Sequence, residues 1–481
     1  MINKKDFVKI SDWIWEIPKS FRNDMKVPAR AYISEKLLEE SLKDRSLEQL
    51  VNVATLPGIL NYSLAMPDMH EGYCFPIGGV AAMDVQNGVI SPGGVGYDIN
   101  CGMKLLKSNY KLKDIQFYLE NLAVEIQKEV PSGLGKGRQM KLNIEQIDKI
   151  LEGGAERLVE QGYGEKEDLK NCESEGKLPH ADNTCVSDHA KNRGRDQVGT
   201  LGSGNHFLEV QKVDEIFDEK TAEVFGLFKD QVIIMIHTGS RGLGHQIATD
   251  YIKIMMQAME KYGIKLPDRE LAACPISSSE GKNYFAAMSC GANYAWANRQ
   301  MITHFIRKAW KFVLGEKASP LISLYDVAHN IAKIEKHAID GKEIELCVHR
   351  KGATRAFPSE SLEIPEKYRK SGQPVLIPGS MGTASYVLVG QRSGKETWFS
   401  TCHGAGRTMS RHEAVRRVSG QEVINSLKSK GVIVKSWSLR GIAEEAPMAY
   451  KNIDKVVEVV HNAGLSKKVV RLIPLAVIKG E

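Results

Sequence analysis

Two short apolar runs, each leading toward a histidine, are the features that most constrain how this chain can fold. The run at 232–236 is followed directly by His237 and a glycine loop, and the run at 321–325 is followed shortly by His329. Short apolar runs of this kind are typical of buried strands. Ligands and substrates are commonly held where strands end on α/β scaffolds. The sequence therefore predicts a binding site at the ends of buried strands.

Similar patterns recur along the chain and predict an α+β fold. Further β-rich runs read as buried strands at 80–85, 104–108, 345–348 and 375–377, and helical spacing of apolar residues predicts helices around 144–151, 247–259 and 298–313. No repeat or Pro/Ser-rich linker divides the chain. We therefore expect one large mixed domain over residues 1–481, with the site in a central cleft and a polar surface excursion at 162–197.

Composition excludes some classes of protein without identifying a partner. The net charge is +6, from 65 basic and 59 acidic residues, so a nucleic-acid function has to be argued from local sites. No apolar stretch is long enough to span a bilayer, and we expect a cytoplasmic protein with no membrane partner. The eight cysteines form no Cys-x-x-Cys pair, which predicts free thiols in a reducing compartment.

Cys101 is the cysteine for which a chemical role is favoured. It follows Asp98 by three positions in the glycine-rich loop 91–103, and a carboxylate and a thiolate at this spacing can face one ion, although a turn with a buried cysteine has the same pattern. His206 opens another strand after a glycine loop. A single histidine is more often structural, but His206, His237 and His329 at strand ends together favour a metal site.

A histidine at the head of a Gly-x-Gly-Arg loop is the candidate nucleophile. His403 is followed by Gly404, Gly406 and Arg407, just before a helical stretch. Small residues let a phosphate approach the imidazole, a helix N-terminus favours the anion, and an arginine neutralises it. A neutral histidine so placed can attack a nucleotide α-phosphate and form a phosphoramidate. Metal ligation by His403 is the competing interpretation.

Three more segments suit phosphate groups, whereas the standard nucleotide signatures are missing. Backbone amides near Asn205 and the loop 378–385 can cradle an anion, and 349–355 is a basic cluster, although basic runs are more often solvated faces. There is no Gly-x-x-x-x-Gly-Lys-Ser/Thr loop, and Asp340-Gly341 has Ala338 where a lysine-adenylating ligase needs its lysine. A P-loop nucleotidase and a lysine-dependent ligase are therefore disfavoured.

Six strings along the chain form a highly specific combination. They are Trp15-Glu16-Ile17-Pro18, Met66-Pro67-Asp68-Met69-His70-Glu71-Gly72-Tyr73, Gly96-Tyr97-Asp98-Ile99-Asn100-Cys101-Gly102, Gly202-Ser203-Gly204-Asn205-His206-Phe207, Cys402-His403-Gly404-Ala405-Gly406-Arg407 and Val477-Ile478-Lys479-Gly480. Over its whole length the sequence thereby resembles the tRNA-splicing ligase RtcB family. A glycine often follows the Pro-Asp pair in that family, where this chain has Met69, and Cys74 lies just beyond; neither is a proposed ligand.

The resemblance implies an α+β fold of the RtcB type and a specific activity. The family joins RNA ends that bear a 2′,3′-cyclic phosphate or a 3′-phosphate to 5′-hydroxyl ends, using GTP and Mn²⁺, in tRNA splicing or RNA repair. By motif, Cys101 would bridge two Mn²⁺ ions per active site, with Asp98 and His206 on one ion and His237 and His329 on the other. His403 would carry GMP as the guanylated nucleophile.

The resemblance also implies binding residues and partners. The nucleotide-binding positions would be Asn205, Glu209, Ser380, Ser385, Tyr450, Lys479, Gly404 and Gly406. The RNA-end candidates are Asp68, Arg241, Lys351, Arg355 and Arg407. The implied partners are RNA, as tRNA exon halves or broken RNA ends, and an archease-like activating protein.

The choice of Mn²⁺ rests on the resemblance alone. Thiolate and imidazole ligands bind Zn²⁺ more tightly than Mn²⁺, so we expect Zn²⁺ to bind this site but to support guanylylation poorly. Two other functions fit the residues: a binuclear phosphoesterase or nuclease, which needs no GTP, and a non-catalytic RNA-binding protein, whose RNA affinity would not depend on Cys101.

Overall fold

A computed structural model describes residues 2–132 and 140–480 of the chain. Its strands form two large sheets and two short two-stranded pairs. The strands are β1 (Val8–Ser11), β2 (Ile14–Ile17), β3 (Ala29–Tyr32), β4 (Ser63–His70), β5 (Ile77–Asp84), β6 (Val89–Ile90), β7 (Gly102–Lys111), β8 (Phe207–Ile216), β9 (Gln231–Thr238), β10 (Cys274–Pro275), β11 (Ile322–Ala328), β12 (Asn330–Ile339), β13 (Lys342–Lys351), β14 (Ala353–Arg355), β15 (Pro374–Ile377), β16 (Ser385–Gly390), β17 (Ser400–Cys402), β18 (Ile433–Ser436) and β19 (Ser466–Lys479).

The two large sheets are separate in their hydrogen bonding. The first has the strand order β1-β2-β3-β4-β5-β13-β12, and the second has the order β11-β7-β9-β8-β19-β16-β15 with β18 beside β19. Among the described strands, the pairs β3–β4 and β18–β19 are parallel and the others are antiparallel. The strands β6 and β10 pair with each other, as do β14 and β17.

The helices pack around these sheets, and the longest of them is largely buried. This helix, α10 (Ser279–Leu314), contains the fully buried Trp296 and Tyr294. It packs against α4 (Leu119–Glu129), α5 (Ile144–Glu160) and α9 (Arg241–Lys261), so a helix that is apolar on most faces occupies the interior. The helices are α1 (Glu35–Ser41), α2 (Ser46–Val53), α3 (Leu112–Ile115), α4 (Leu119–Glu129), α5 (Ile144–Glu160), α6 (Lys166–Lys170), α7 (Asp188–Gly194), α8 (Glu219–Phe225), α9 (Arg241–Lys261), α10 (Ser279–Leu314), α11 (Arg411–Arg417), α12 (Gly420–Ser429), α13 (Leu439–Glu444) and α14 (Ile453–Asn462).

The α+β class predicted from the sequence is confirmed, and each predicted strand or helix overlaps an element of its own type. All eight cysteines are free thiols. None of the helices in the described residues combines the length and apolar character that crossing a bilayer requires. The polar segment 162–197 includes α6 and α7, and two of its carboxylates, those of Asp168 and Glu173, are buried against Arg307 and Lys333.

The register of the second sheet places several strand ends side by side. Gly102 at the start of β7 pairs with Ala328 at the end of β11 and with Thr238 at the end of β9. Phe207 at the start of β8 pairs with His237 near the end of β9. Because these neighbours are antiparallel, the start of each strand lies beside the end of the next.

Four of the predicted metal ligands lie at this one end of the sheet. Cys101 precedes β7, His206 precedes β8, His237 is the second-last residue of β9, and His329 follows β11. Residues that are far apart in the sequence therefore meet in space.

A buried arginine on α10 fastens these strand ends together. The guanidinium of Arg299 donates hydrogen bonds to the backbone oxygens of Asn100 and Thr238, at 2.8 and 2.9 Å. It also pairs with the carboxylate of Asp326 on β11 at 2.8 Å. The Arg299 side chain is fully buried, so these bonds replace all of its contacts with water.

We predict that Arg299→Met lowers the free energy of unfolding by about 3–5 kcal/mol, because the change leaves two buried carbonyls without their donor and the buried Asp326 carboxylate with only the more distant Lys104, at 4.0 Å. Urea unfolding measures this loss. Lys308→Met is the matched control on the same helix, where the lysine is exposed and its ion pair with Glu129 contributes little. Equal unfolding midpoints for Arg299→Met and the wild type would contradict the role given to Arg299.

Candidate active site

Asp98, Cys101 and His206 form the first of two candidate metal groups. Their ligand atoms all lie within 4.8 Å of one another. The Nε2 atom of His206 is 2.8 Å from Asp98 Oδ2 and 3.4 Å from Cys101 Sγ. Burial raises the pKa of Asp98, but the His206 imidazole outweighs burial and holds this pKa at about 2. The carboxylate is therefore ionised at neutral pH and available to a cation.

Cys101 also belongs to the second group, with His237 and His329. The ligand atoms of these three residues likewise lie within 4.8 Å of one another. Cys101 Sγ is 3.3 Å from His237 Nε2, which in turn is 3.3 Å from His329 Nε2. Burial lowers the pKa of both imidazoles well below the ordinary value, so both are neutral at pH 7. A sulfur and two nitrogens that face each other suit a shared cation.

The donor set fits divalent transition-metal ions. Thiolate, imidazole and carboxylate are the protein ligands of such ions, and the set matches Zn²⁺ more closely than Mn²⁺ in softness. Burial and the Asp98 carboxylate raise the pKa of the Cys101 thiol well above its usual value. A bound cation would offset both effects by stabilising the thiolate. Cys101 is common to the two groups, so it is the residue suited to bridge two ions.

Backbone groups orient the first group. The Nδ1 atom of His206 lies 3.1 Å from the carbonyl oxygen of Leu201, so this nitrogen is the donor and Nε2 faces the other ligands. The Thr238 hydroxyl donates to the same carbonyl at 2.7 Å. Asp98 Oδ1 accepts the backbone N–H of Ser240 at 3.0 Å, which fixes the second carboxylate oxygen.

His403 lies beside the second group and is held by Asp68 of the first sheet. Its ring centroid is 5.1 Å from that of His329. Its Nδ1 atom is 2.5 Å from Asp68 Oδ2, and that oxygen also accepts the backbone N–H groups of His403 and Gly404. Burial raises the pKa of Asp68, but the adjacent His403 outweighs this and the pKa stays below its usual value. An ionised Asp68 on Nδ1 leaves Nε2 as the free nitrogen of His403.

The loop after His403 requires glycine at one position. Gly406 has a φ of 73°, and a Cβ atom there would lie 2.2 Å from the carbonyl oxygen of Asp68. Only glycine combines this left-handed conformation with so close an approach to another backbone. The Gly-x-Gly-Arg string therefore keeps the loop against the strand that carries Asp68.

A cavity of about 310 Å³ opens in front of His403. Its walls combine Asp98, Cys101, His237 and His329 of the two candidate metal groups with most of the positions predicted to bind nucleotide. The predicted positions that line it are Asn205, Ser380, Gly404, Gly406, Tyr450 and Lys479.

The other two predicted nucleotide positions lie deeper and are linked through one amide. The Nε2 group of Gln211 donates to Glu209 Oε2 at 2.6 Å and to Ser385 Oγ at 3.0 Å. Glu209 is almost fully buried. Burial raises the pKa of Glu209 to about 8, and neither Gln211 nor the nearby Lys479 cancels this effect. Glu209 is therefore largely protonated at pH 7 and can donate a hydrogen bond.

Basic and phenolic groups also line the cavity. Lys479 Nζ donates to the backbone oxygens of Gly204 and His206, and burial lowers its pKa to about 8. Arg407 donates to Glu445 Oε2 at 3.0 Å and to the Tyr450 hydroxyl at 3.2 Å, and the Tyr450 hydroxyl also donates to Glu445. These contacts hold two cations and a phenol at the cavity wall, where an anion can reach them.

Some of the residues predicted to contact RNA ends line the cavity, and others lie away from it. Lys351 and Arg407 line the cavity, and Lys351 Nζ donates to the backbone oxygens of Tyr73 and Phe75 at 2.6 and 3.0 Å. Asp68 is fully buried under His403, so it orients that histidine. Arg241 donates from Nε to the Thr200 hydroxyl at 3.1 Å, next to the first metal group.

Arg355 is placed differently from the prediction. It is 1% exposed, lies 3.5 Å from the buried Glu173 carboxylate and is not among the described residues that line the cavity. The buried carboxylate needs positive charge, and Arg355 supplies it together with Lys333, which lies 3.2 Å from the same oxygen. This placement gives Arg355 a structural role and no surface that an RNA end can contact.

Sequence reasoning missed several residues that the structure brings to the cavity. His70 stacks 6.5 Å from His403, with its Nδ1 atom 2.9 Å from the backbone oxygen of Asp68. Glu445 ion-pairs with both Arg407 and Arg411. His70 lies in the string Met66–Tyr73, and its place in that string is the sequence signal that identifies it. Nothing local in the sequence distinguishes Glu445 from its neighbour Glu444.

The buried Glu209 generates a prediction about stability against pH. Its folded-state pKa of about 8 exceeds the ordinary 4.5. The contribution of its protonated form to the free energy of unfolding is therefore fully present below pH 4.5 and is lost as the pH rises through 8. We predict that Glu209→Gln is relatively more stable than the wild type at pH 9, on the order of a few kcal/mol, and equal or less stable at pH 5. Urea unfolding at both pH values measures this difference.

Glu215→Gln is the control for that prediction, since Glu215 is an exposed carboxylate on the same strand. A Glu209→Gln variant whose stability follows the wild-type pH profile would show that the Glu209 carboxyl is not held in its protonated form.

Comparison with known proteins identifies the family of the chain. The family model described as tRNA-splicing ligase RtcB matches residues 49–480. A tRNA-splicing ligase RtcB of Archaeoglobus fulgidus is 55% identical over 475 residues, which cover 98% of each chain. That of Thermococcus kodakarensis is 53% identical over 469 residues, covering 97% of each. An RNA-splicing ligase RtcB of Mycobacterium tuberculosis is 52% identical over 435 residues, covering 90% of this chain and 100% of its own. The chain therefore belongs to the tRNA-splicing ligase RtcB family.

Proposed function

We propose that this chain is a GTP-dependent RNA ligase that joins 2′,3′-cyclic phosphate or 3′-phosphate RNA ends to 5′-hydroxyl ends. The reaction proceeds through GMP bound covalently to His403 and then through an RNA 3′-phosphate that carries GMP. Family membership supports the RNA ligase class, and the arrangement around His403 supports the chemistry.

The observation that carries the proposal is the position of the His403 imidazole. It stands between a carboxylate on Nδ1 and a cavity that holds both candidate metal groups, 5.1 Å from His329 between ring centroids. Asp68 stabilises positive charge on the ring while Nε2 forms a bond, as the carboxylate does in other carboxylate–histidine pairs. Metal-ligating histidines are also commonly held by a carboxylate, so the features that favour a nucleophile are the glycine loop and the cavity beside the imidazole.

Two Mn²⁺ ions are proposed for the two groups. Asp98, Cys101 and His206 would hold one, and Cys101, His237 and His329 the other, with Cys101 between them. Bound there, the ions would screen phosphate charge and polarise the α-phosphate of GTP.

The proposed nucleotide pocket is the cavity beside His403, and its polar lining residues support this proposal. Lys479 and Arg407 offer positive charge to the phosphates, and Asn205 and Ser380 offer hydrogen bonds. The protonated Glu209 can donate to an acceptor on the nucleotide or ionise to accept from it, which suits a polar base more than a phosphate.

The bonds that form and break balance in each of four steps. His403 Nε2 attacks the α-phosphorus of GTP as the bond to the β-phosphate oxygen breaks and pyrophosphate leaves. Water opens a cyclic RNA end to a 3′-phosphate, whose oxygen then takes GMP from His403 and frees the imidazole. The 5′-hydroxyl oxygen attacks the activated 3′-phosphate and expels GMP. Storing GMP on a nitrogen divides one difficult condensation into feasible displacements.

RNA is the proposed polymer, and the cations at the cavity are its proposed contacts. Lys351, Arg407 and Arg241 lie where a terminal phosphate would approach the two metal groups. Use of GTP and Mn²⁺, a cytoplasmic location and an archease-like activating protein stay predictions from the family resemblance.

We predict that the chain incubated with α-labelled GTP and Mn²⁺ forms an acid-labile, base-stable protein adduct, because a phosphoramidate has that stability. Mass spectrometry should show an added GMP on His403. His403→Ala should abolish the adduct entirely.

His189→Ala is the matched control, since His189 is an exposed histidine on α7. This variant should form the adduct at the wild-type rate. A binuclear phosphoesterase built on the same ligands would form no adduct at all. Release of phosphate from RNA ends without any labelled protein would therefore overturn the ligase proposal.

A further inference from the structure

The segment that follows the His403 loop carries much of the positive charge of the chain. Residues 407–445 contain eight lysines and arginines against four aspartates and glutamates, a net charge of +4 where the whole chain has +6. Arg416 of α11 is exposed and forms no ion pair among the described residues, and Arg440 of α13 is exposed and paired only with Glu444. A surface of this kind attracts a polyanion.

This basic surface also carries an exposed tryptophan. Trp437 is 69% exposed, whereas the other five tryptophans of the chain are buried or partly buried. Leu439, two positions later, is 55% exposed. Burial of an indole normally stabilises a fold, and the chain forgoes this gain at Trp437, so the ring is available to a partner that covers it.

The backbone on both sides of Trp437 is fixed. Ser436 is the last residue of β18, which is paired with β19, and its hydroxyl accepts the N–H of Ser438 at 3.1 Å. The Ser438 hydroxyl accepts the N–H of Gly441 at 3.0 Å and caps α13. A ring on such a fixed support loses little conformational entropy when a ligand packs on it.

Trp437 is also close to the cavity along two independent paths. Ser436 pairs in register with Lys479, which lines the cavity. At the other end of α13, Glu445 binds Arg407 and Arg411 at the cavity wall. The six residues of α13 span roughly 9 Å, so only a short stretch of chain separates the backbone at Trp437 from the residues of the cavity wall.

From these observations we propose that Trp437 is a stacking platform for a base of the RNA strand that enters the active site, with Arg416 and Arg440 near its phosphates. An exposed aromatic ring among arginines is the usual support for single-stranded RNA, because every base offers a face to stack on. A purely apolar protein partner would not call for the surrounding positive charge. This inference rests on the proposed function, since it assumes an RNA substrate.

The test uses a fluorescein-labelled single-stranded RNA dodecamer with a 3′-phosphate and the full-length chain. Trp437→Ala should weaken RNA binding at least fivefold, the loss expected for one base–aromatic stack, and Trp437→Phe should keep most of the affinity. In ligation assays Trp437→Ala should raise KM for RNA by a similar factor with little change in kcat.

Phe312→Ala is the matched control, because Phe312 is an aromatic residue on α10 with 72% exposure and does not line the cavity. It should bind RNA like the wild type. Adduct formation with GTP alone, which requires no RNA, shows that each variant is folded. Wild-type RNA affinity in a Trp437→Ala variant that still forms the adduct would overturn the platform and leave the proposed function intact. No adduct in the wild type would refute the proposed function itself.

Discussion

The hydrogen bonds of Arg299 hold the backbone on which the candidate metal site is built. Its guanidinium joins the carbonyl before Cys101, the carbonyl after His237 and the Asp326 side chain three residues before His329. These contacts come from one helix and reach two strands of one sheet and the loop that leads into a third. Because a metal site tolerates only small errors in ligand position, a rigid support of this kind matters as much as the ligands themselves.

The site depends equally on the meeting of the two large sheets. The second sheet supplies the metal groups, and the first supplies Asp68, which holds His403. The glycine at position 406 lets the His403 loop lie against the Asp68 backbone. His403, the proposed nucleophile, is on a loop from neither large sheet. Its Nδ1 atom contacts Asp68 of the first sheet, and its ring lies beside His329 in the candidate metal groups of the second. This arrangement separates the group that orients the imidazole from the groups that bind phosphate.

Much of this site could be predicted from the sequence because its chemistry is local. Cys101, His237 and His403 each stand beside a glycine loop or at the end of an apolar run, and those patterns are visible without a structure. The roles of Arg299 and Glu445 could not be predicted, because their importance comes from partners far away in the sequence. Arg355 shows the opposite error: its place in a basic run suggested contact with RNA, whereas a distant carboxylate, Glu173, holds it in the interior.

The account therefore depends on whether the two groups that share Cys101 bind metal ions next to His403. Crystals soaked in MnCl₂ and measured at the manganese absorption edge test this most directly. The account predicts two anomalous peaks, one on each side of the Cys101 sulfur, with the His206 and His329 rings on opposite sides of that sulfur as ligands. Manganese bound elsewhere in the molecule, with no peak within bonding distance of the sulfur, would contradict it.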